Sequence, residues 1–262
     1  MHHATQRGVD PTDALPAHDE ALGVPELDSF ADRGLITGVY APLTSGKEAT
    51  VYCCRAHPST RRRFLAAKVY REHAERSYKW NPTYFEGRER VLKPQVIRAI
   101  RARSAFGKEA AAGLWVDAEY ANLAACHRAS VSVPEPMALA GRALLMQYIG
   151  NGAGPAPLLC GVHLKPQEAA LLYERIVREI ERMLSIHQVH GDLSPYNILY
   201  WRGTPYIIDV PQAVDARFNH AAFELLHRDI ERVCAFFAQY GVRDDPADTA
   251  GDLWHRYQRA EI

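Results

Sequence analysis

The sequence predicts an α+β fold in two unequal parts, and three observations predict it. Short β-favouring runs crowd residues 35–148, apolar residues at spacings of three and four dominate residues 166–237, and a Gly- and Pro-rich stretch from Gly150 to Pro157 divides them. The composition agrees. The 262 residues are 47% apolar and 10% aromatic, enough for a sizeable core. With 31 Lys+Arg against 31 Asp+Glu the formal charge is zero, which excludes a uniformly basic nucleic-acid binder, so electrostatic specialisation must be local. Apolar runs such as Ala143 to Met146 fall far short of the roughly 20 residues that span a bilayer. The first residues lack the pattern of a secretion signal, and the five Cys include no C-x-x-C pair, which suits reduced thiols. A cytoplasmic location without membrane contact is expected.

Residues 1–34 read as a mostly flexible arm, in which residues 1–32 carry seven acids against the single Arg7, with a short helix over Leu27 to Arg33 ended by Gly34. Residues 35–149 read as the first lobe. Its strands are Leu35 to Leu43, Ala49 to Ala56 and Phe64 to Tyr70, then Met137 to Ala140 and Ala143 to Tyr148 joined at Gly141-Arg142: a five-stranded antiparallel sheet. One helix, Glu109 to Arg128, accompanies it, with Leu114, Trp115, Ala118 and Leu123 on its apolar face. Between sheet and helix, an insertion of about 78–107 has six bases and no acid from Arg90 to Lys108. It reads as a basic surface loop, or as a surface for a phosphate-rich partner.

Residues 150–262 read as a reduced, mainly helical second lobe. Pro166 opens a helix with Leu172, Ile176, Ile180 and Met183 at helical spacing, ending near His187. A loop leads to a hairpin of Ile198 to Tyr200 and Tyr206 to Val210. Asn219 is the expected N-cap of a last major helix that carries Leu226, Ile230, Val233 and Phe237 and stops at Gly241.

The most informative segment is His190-Gly191-Asp192-Leu193-Ser194-Pro195-Tyr196-Asn197, followed by Ile207-Ile208-Asp209. An Asp with an Asn five residues on, after a buried helix, and another Asp twelve further on at a strand end is the spacing of protein-kinase-like phosphotransferases. Phosphoryl transfer needs one carboxylate near the attacking hydroxyl and separate oxygen ligands for Mg²⁺ on the nucleotide phosphates. Asp192 is the candidate base, with Asn197 and Asp209 the candidate metal ligands. The bland alternative makes Asp192 and Asn197 turn caps. His190 is expected to brace the loop rather than to bind metal.

Upstream, Thr44-Ser45-Gly46-Lys47 is a turn between two strands, with Ala49 and Val51 on the strand leaving it. Such a turn covers a triphosphate with backbone N–H groups, and a Lys on the next strand, here Lys68, reaches the α- and β-phosphates. It is not a Walker A loop, because Glu48 follows Gly46-Lys47 and a strand comes next. That Lys needs a carboxylate on the following helix. Glu119, in mid-helix, is the choice over Asp117 and Glu109.

These segments resemble the RIO group of atypical protein kinases, and its first subfamily most closely. The matching pieces include Ser45 to Tyr52, Ala67-Lys68-Val69-Tyr70, Trp115 to Leu123, Leu145 to Gly150, Val189 to Asn197 and Tyr206 to Val210, within about residues 27–240. The resemblance implies a two-lobed protein-kinase-like fold that binds ATP and Mg²⁺, with Met146 behind the adenine and Gln147 and Ile149 offering it backbone hydrogen bonds. It also implies a serine/threonine protein kinase, with autophosphorylation or ATPase activity, acting on a protein acceptor, and a ribosomal or RNA partner for the basic insertion. Gly191 stands where most protein kinases carry Arg, Asp209-Val210-Pro211 replaces D-F-G, and no A-P-E follows. Two alternatives stand beside this reading: a small-molecule phosphotransferase of the aminoglycoside type, and an ATP-binding assembly factor with little turnover.

Overall fold

A two-residue strand, β1 (Ala17–His18), opens a sheet that the alternating side chains of the next fifty residues build. The structure is a computed structural model describing residues 17–18, 24–71, 93–102 and 104–262. Strands β2 (Ile36–Ser45), β3 (Ala49–Ala56) and β4 (Phe64–Tyr70) form a meander, and β5 (Pro136–Ala140) and β6 (Ala143–Gln147) complete the sheet in the order β1-β2-β3-β4-β6-β5, all neighbours antiparallel. The expected five strands are therefore six. β1 comes from the acidic arm and sets Ala17 against Tyr40 and His18 against Val39; two residues are too few to show a period in sequence. The rest of the arm before Val24 lies outside the described residues.

One face of the sheet buries Leu65, Ala67 and Leu145 against Leu27 and Phe30 of α1 (Pro25–Asp32). The opposite face collects Cys53, Ala66 and Tyr148, with Val51 and Met146 packed beside them. By the two-residue period Lys68 leaves β4 on the same side as Ala66.

Part of the insertion is helical, which corrects the reading of a basic loop. α2 (Pro94–Arg101) starts on a proline and buries Ile100, and α3 (Ala105–Arg128) begins four residues earlier than expected because Ser104 caps it, its Oγ accepting the Gly107 N–H at 3.0 Å. Residues 78–92 of the expected insertion lie outside the described residues.

In the second half, Gly150–Asn151 (β7) and Gly154–Pro155 (β8) pair within the expected linker. Helix α4 (Pro166–Ser185) buries Leu172, Tyr173, Ile176, Ile180, Met183 and Leu184. Each such side chain contributes about 1.5–3 kcal/mol when removed from water. After β9 (Gln188–Val189) come the hairpin β10 (Ile198–Trp201) and β11 (Thr204–Ile207), then β12 (Val214–Asp215), which pairs with β9. Helix α5 (Ala222–Ala238) starts with Ala221, not Asn219, at its N-cap; the Asn219 side chain instead accepts the Ala221 N–H at 2.9 Å within the preceding turn. Nor is α5 last. α6 (Pro246–Gln258) follows, capped by the Asp245 carboxylate on the N–H groups of Ala247 and Asp248, with Pro246 in its first turn. No helix of the described residues is long and apolar enough to cross a membrane.

Candidate active site

Lys68, near the end of β4, has its ammonium 2.7 Å from Glu119 Oε1 and 2.7 Å from Asp209 Oδ1. Glu119 projects from α3 and Asp209 follows β11, so this pair of bonds joins the sheet, its helix and the second half of the chain. Of the competing carboxylates, Asp117 points to solvent. The side chain of Lys68 is 12% exposed and that of Glu119 2%. Burial alone would depress the Lys68 ammonium, but the carboxylates of Asp209 and Glu119 outweigh it and hold it well above its usual value. Asp209 is held below the usual carboxylate range, chiefly by that ammonium. Glu119 goes the other way: it is more buried than Asp209 and shares the one lysine with it, so burial pushes its carboxyl up. A residue missed in sequence joins them. Tyr70 donates its hydroxyl to Glu119 Oε2.

The segment from His190 to Asn197 is held from three sides. His190 is buried and bonds the Ile208 carbonyl at 3.1 Å through Nε2, while its Nδ1 accepts the Asp192 N–H at 3.3 Å. Gly191 adopts φ +80°, a conformation glycine takes without strain. From α5, the buried Asp229 carboxylate accepts the N–H groups of Gly191 (2.7 Å) and Leu193 (2.8 Å), and Arg228 donates to the Gly191 carbonyl. Burial raises the Asp229 carboxyl to about 6, against the pull of His190 and of those two N–H bonds. Asp192 itself is half-exposed, and Arg232, one helical turn beyond Arg228, donates to its Oδ1 at 2.7 Å. Sequence reasoning missed all three α5 residues. One signal was available: Asp229 falls on the apolar stripe of Leu226, Ile230 and Val233.

Asn197 and Asp209 are brought together by the hairpin, where the Ile208 N–H donates to the Asn197 carbonyl at 3.0 Å. The Asn197 amide nitrogen donates to the Asp192 carbonyl at 2.9 Å, which leaves its oxygen as the acceptor end. Asp209 sits at φ +64°, a left-handed conformation that Asp tolerates better than most residues, and the next residue is tied down by Asn122, whose amide donates to the Val210 carbonyl at 2.8 Å. Two hard oxygen donors, one of them a carboxylate kept ionised, are the donor chemistry that suits Mg²⁺. Among the described residues no group of three or more His, Cys, Asp or Glu gathers to hold a metal.

Thr44, Ser45, Gly46 and Lys47 are exposed at the β2–β3 turn, where the Gly46 N–H donates to the Ala49 carbonyl at 2.9 Å. Arg71 ties the turn to β4 by donating to Ser45 Oγ at 2.5 Å and Thr50 Oγ1 at 3.3 Å. Ala49 is buried, and Val51 and Met146 line the same apolar cluster. The Gln147 N–H donates to the Glu135 carbonyl at 2.8 Å and the Ile149 carbonyl accepts from Ala156 at 2.9 Å. Any adenine contact at Gln147 and Ile149 therefore narrows to the other backbone group of each. All five Cys are unpaired thiols, and the buried Cys53 packs in the apolar cluster with Val51 and Met146.

A lysine strand under a turn, a helix carrying its glutamate, and a pinned loop and hairpin supplying Asp, Asn and Asp define the protein-kinase-like fold. Within it the chain belongs to the RIO domain family, whose family model matches residues 50–249. The chain is 33% identical over 220 residues to the serine/threonine-protein kinase RIO1 of Caenorhabditis elegans, covering 82% of this chain and 40% of that protein. It is 34% identical over 185 residues to the RIO-type serine/threonine-protein kinase Rio1 of Thermoplasma acidophilum, covering 71% and 90%. The chain thus spans less than half of the nematode relative and most of the archaeal one. Among solved structures, the Rio2 kinase–ADP/Mg²⁺–phosphoaspartate complex of Chaetomium thermophilum matches with a TM-score of 0.62 at 20% identity, over 92% of this chain and 71% of that one.

Proposed function

We propose that this chain is an ATP- and Mg²⁺-dependent serine/threonine protein kinase of the RIO type. The observation that carries the reading is Lys68, held between Glu119 and Asp209 at 2.7 Å each, which places one fixed cation where nucleotide phosphates would meet the two halves. Lys68 binds the α- and β-phosphates, Glu119 orients it, and the 44–47 turn covers the triphosphate with Ala49, Val51, Met146, Gln147 and Ile149 around the base. Asn197 and Asp209 would hold Mg²⁺, which when bound would supply neutralisation of the phosphate charge. Asp192 accepts the proton of the attacking hydroxyl, on a loop that Asp229 and Arg228 keep in place. The named relatives support ATP, Mg²⁺ and a Ser/Thr-bearing protein acceptor.

We further propose two lobes divided near residue 150, with an arm before residue 35, and a cytoplasmic location. A last part of the reading is an RNA or ribosomal contact through the basic insertion, supported by its run of bases without an acid. The test is incubation with ATP labelled in the γ-phosphate and Mg²⁺, following label into free phosphate, into the chain and into candidate acceptors. Acid-stable label on Ser or Thr that disappears in Asp192→Ala supports the kinase. Label only in free phosphate or in an acid-labile acyl phosphate shifts the reading to an ATPase, and no turnover at all removes it.

A further inference from the structure

Tyr70 is a buried ionisable side chain that the proposed chemistry does not employ. It stands two residues after Lys68 on β4, so both leave the same face of the strand, and it is 3% exposed. Its hydroxyl occupies the second oxygen of Glu119, the oxygen Lys68 does not take. The Lys68 ammonium also lies 5.0 Å from the centre of the Tyr70 ring, within reach of its π-face. Ammonium, phenol and carboxylate form one unit.

We propose that Tyr70 is a positioning residue of the phosphate-holding corner, whose hydroxyl keeps Glu119 charged and aimed while the Lys68 ammonium divides itself among Glu119, Asp209 and the nucleotide. This rests on the kinase reading above. The reason is a difference in mobility. Lys68 reaches its partners through a four-carbon stem, whereas the phenol is a rigid ring fixed by strand and core. Were Lys68 the only partner of Glu119, any shift of the ammonium toward a phosphate would strand a carboxylate in a dry environment. The phenol does not shift. It also stays a donor, because burial and then the Glu119 charge push its hydroxyl far above the usual tyrosine range.

The charged and titratable groups around Glu119 are Lys68 and Tyr70 from β4, Asp209 after β11, and Glu48 of the β2–β3 turn, which burial and then Asp209 push upward. Burial first, then Asp209, raises the Glu119 carboxyl; Lys68 and the two hydrogen bonds oppose this. Loss of the Tyr70 hydroxyl should raise it further. A carboxyl raised in the folded state has its stabilising effect complete at low pH and loses it as pH climbs through the folded value.

The experiment uses the full chain without nucleotide. Melting temperatures of wild type and Tyr70→Phe, taken from pH 4.5 to 8, should differ little at the acid end and increasingly toward neutrality. In a Glu119→Gln background the Tyr70→Phe deficit should become independent of pH. Affinity for a fluorescent ATP analogue with Mg²⁺ should fall roughly three- to tenfold in Tyr70→Phe, the size of one ordinary net hydrogen bond, because the lost bond acts on the nucleotide only through Glu119 and Lys68. A pH-independent deficit in the wild-type background, or unchanged affinity, overturns the proposal and leaves Tyr70 a packing residue. Unchanged nucleotide binding in Lys68→Met would instead sink the kinase reading on which it rests.

Discussion

Two carboxylates at this site are built in opposite ways. Glu119 is almost fully enclosed, bonded by a lysine and a phenol from one strand; Asp192 stands 42% exposed on a loop, paired with the half-exposed Arg232. The difference suits what each corner meets in the proposed reaction. A cation that holds a triphosphate works best preorganised and dry, where its field is unscreened. A base that takes a proton from a macromolecular hydroxyl must be reachable, so its rigidity comes from the backbone beneath it instead. Asp229 and Arg228 supply that, gripping the N–H groups of residues 191 and 193 and the carbonyl of 191 and leaving the Asp192 side chain open.

The largest expected effect separates the corners outright. Asp192→Ala removes the proposed general base and should lower turnover by about 10²–10⁴, with melting temperature and nucleotide affinity close to wild type, read by γ-phosphate release and calorimetry. If affinity collapses along with turnover, the open corner is also a binding corner and the contrast fails. Lys68→Met should do the reverse. It leaves the enclosed Glu119 without its cation, a loss on the order of 3–5 kcal/mol for a broken buried pair, so stability and nucleotide affinity should fall together in denaturant melts and titrations. A Lys68→Met protein as stable as wild type would show that the corner is wetter than its geometry states.

Asp229 tests the backbone grip. Its carboxyl is raised to about 6 by burial, so the stability tied to its protonation is complete near pH 4 and is lost as pH rises through about 6. Asp229→Asn cannot titrate. Relative to wild type, that variant should therefore gain stability between pH 4.5 and 7.5 in paired thermal melts, while losing turnover because an amide cannot accept both loop N–H groups as a carboxylate does. A stability difference that stays flat with pH would mean that Asp229 is ionised throughout.

How much of this was legible beforehand depends on what kind of neighbour fixes each residue. Lys68, Glu119, Asp192, Asn197 and Asp209 sit in local patterns, a strand pair, a helix centre, a loop and a hairpin, whose spacing is itself the signal. The two-lobed α+β class was readable for the same reason, since period two and period 3.6 segregate along the chain. Tyr70, Arg228, Asp229 and Arg232 have no such pattern; they matter because folding sets α5 under the loop and the end of β4 beside α3. α6 was missed although Asp245-Pro246 is a sound start signal, because its few apolar residues make a weak stripe. β1 owes its existence to the edge of β2 and not to its own two residues.

The smallest expected effect is the sharpest probe of the open corner. The Arg232–Asp192 pair is half-exposed on both sides, so its contribution to stability belongs to the surface range of about 0.2–1 kcal/mol, and Arg232→Gln should lower the melting temperature by no more than about 4 °C. Turnover should change more than stability. Among the described residues Arg232 donates to the Asp192 carboxylate, and its guanidinium carries further N–H donors beyond that bond. Its loss should therefore alter KM for the acceptor and leave KM for ATP, which depends on the enclosed corner, where it was. Because solvent-facing charges are screened within about 3 Å at 1 M salt, wild type and Arg232→Gln should converge in acceptor kinetics as salt rises. A shifted KM for ATP would instead join the two corners into one coupled unit, and a difference that persists in high salt would mean that the pair is enclosed when the acceptor is bound.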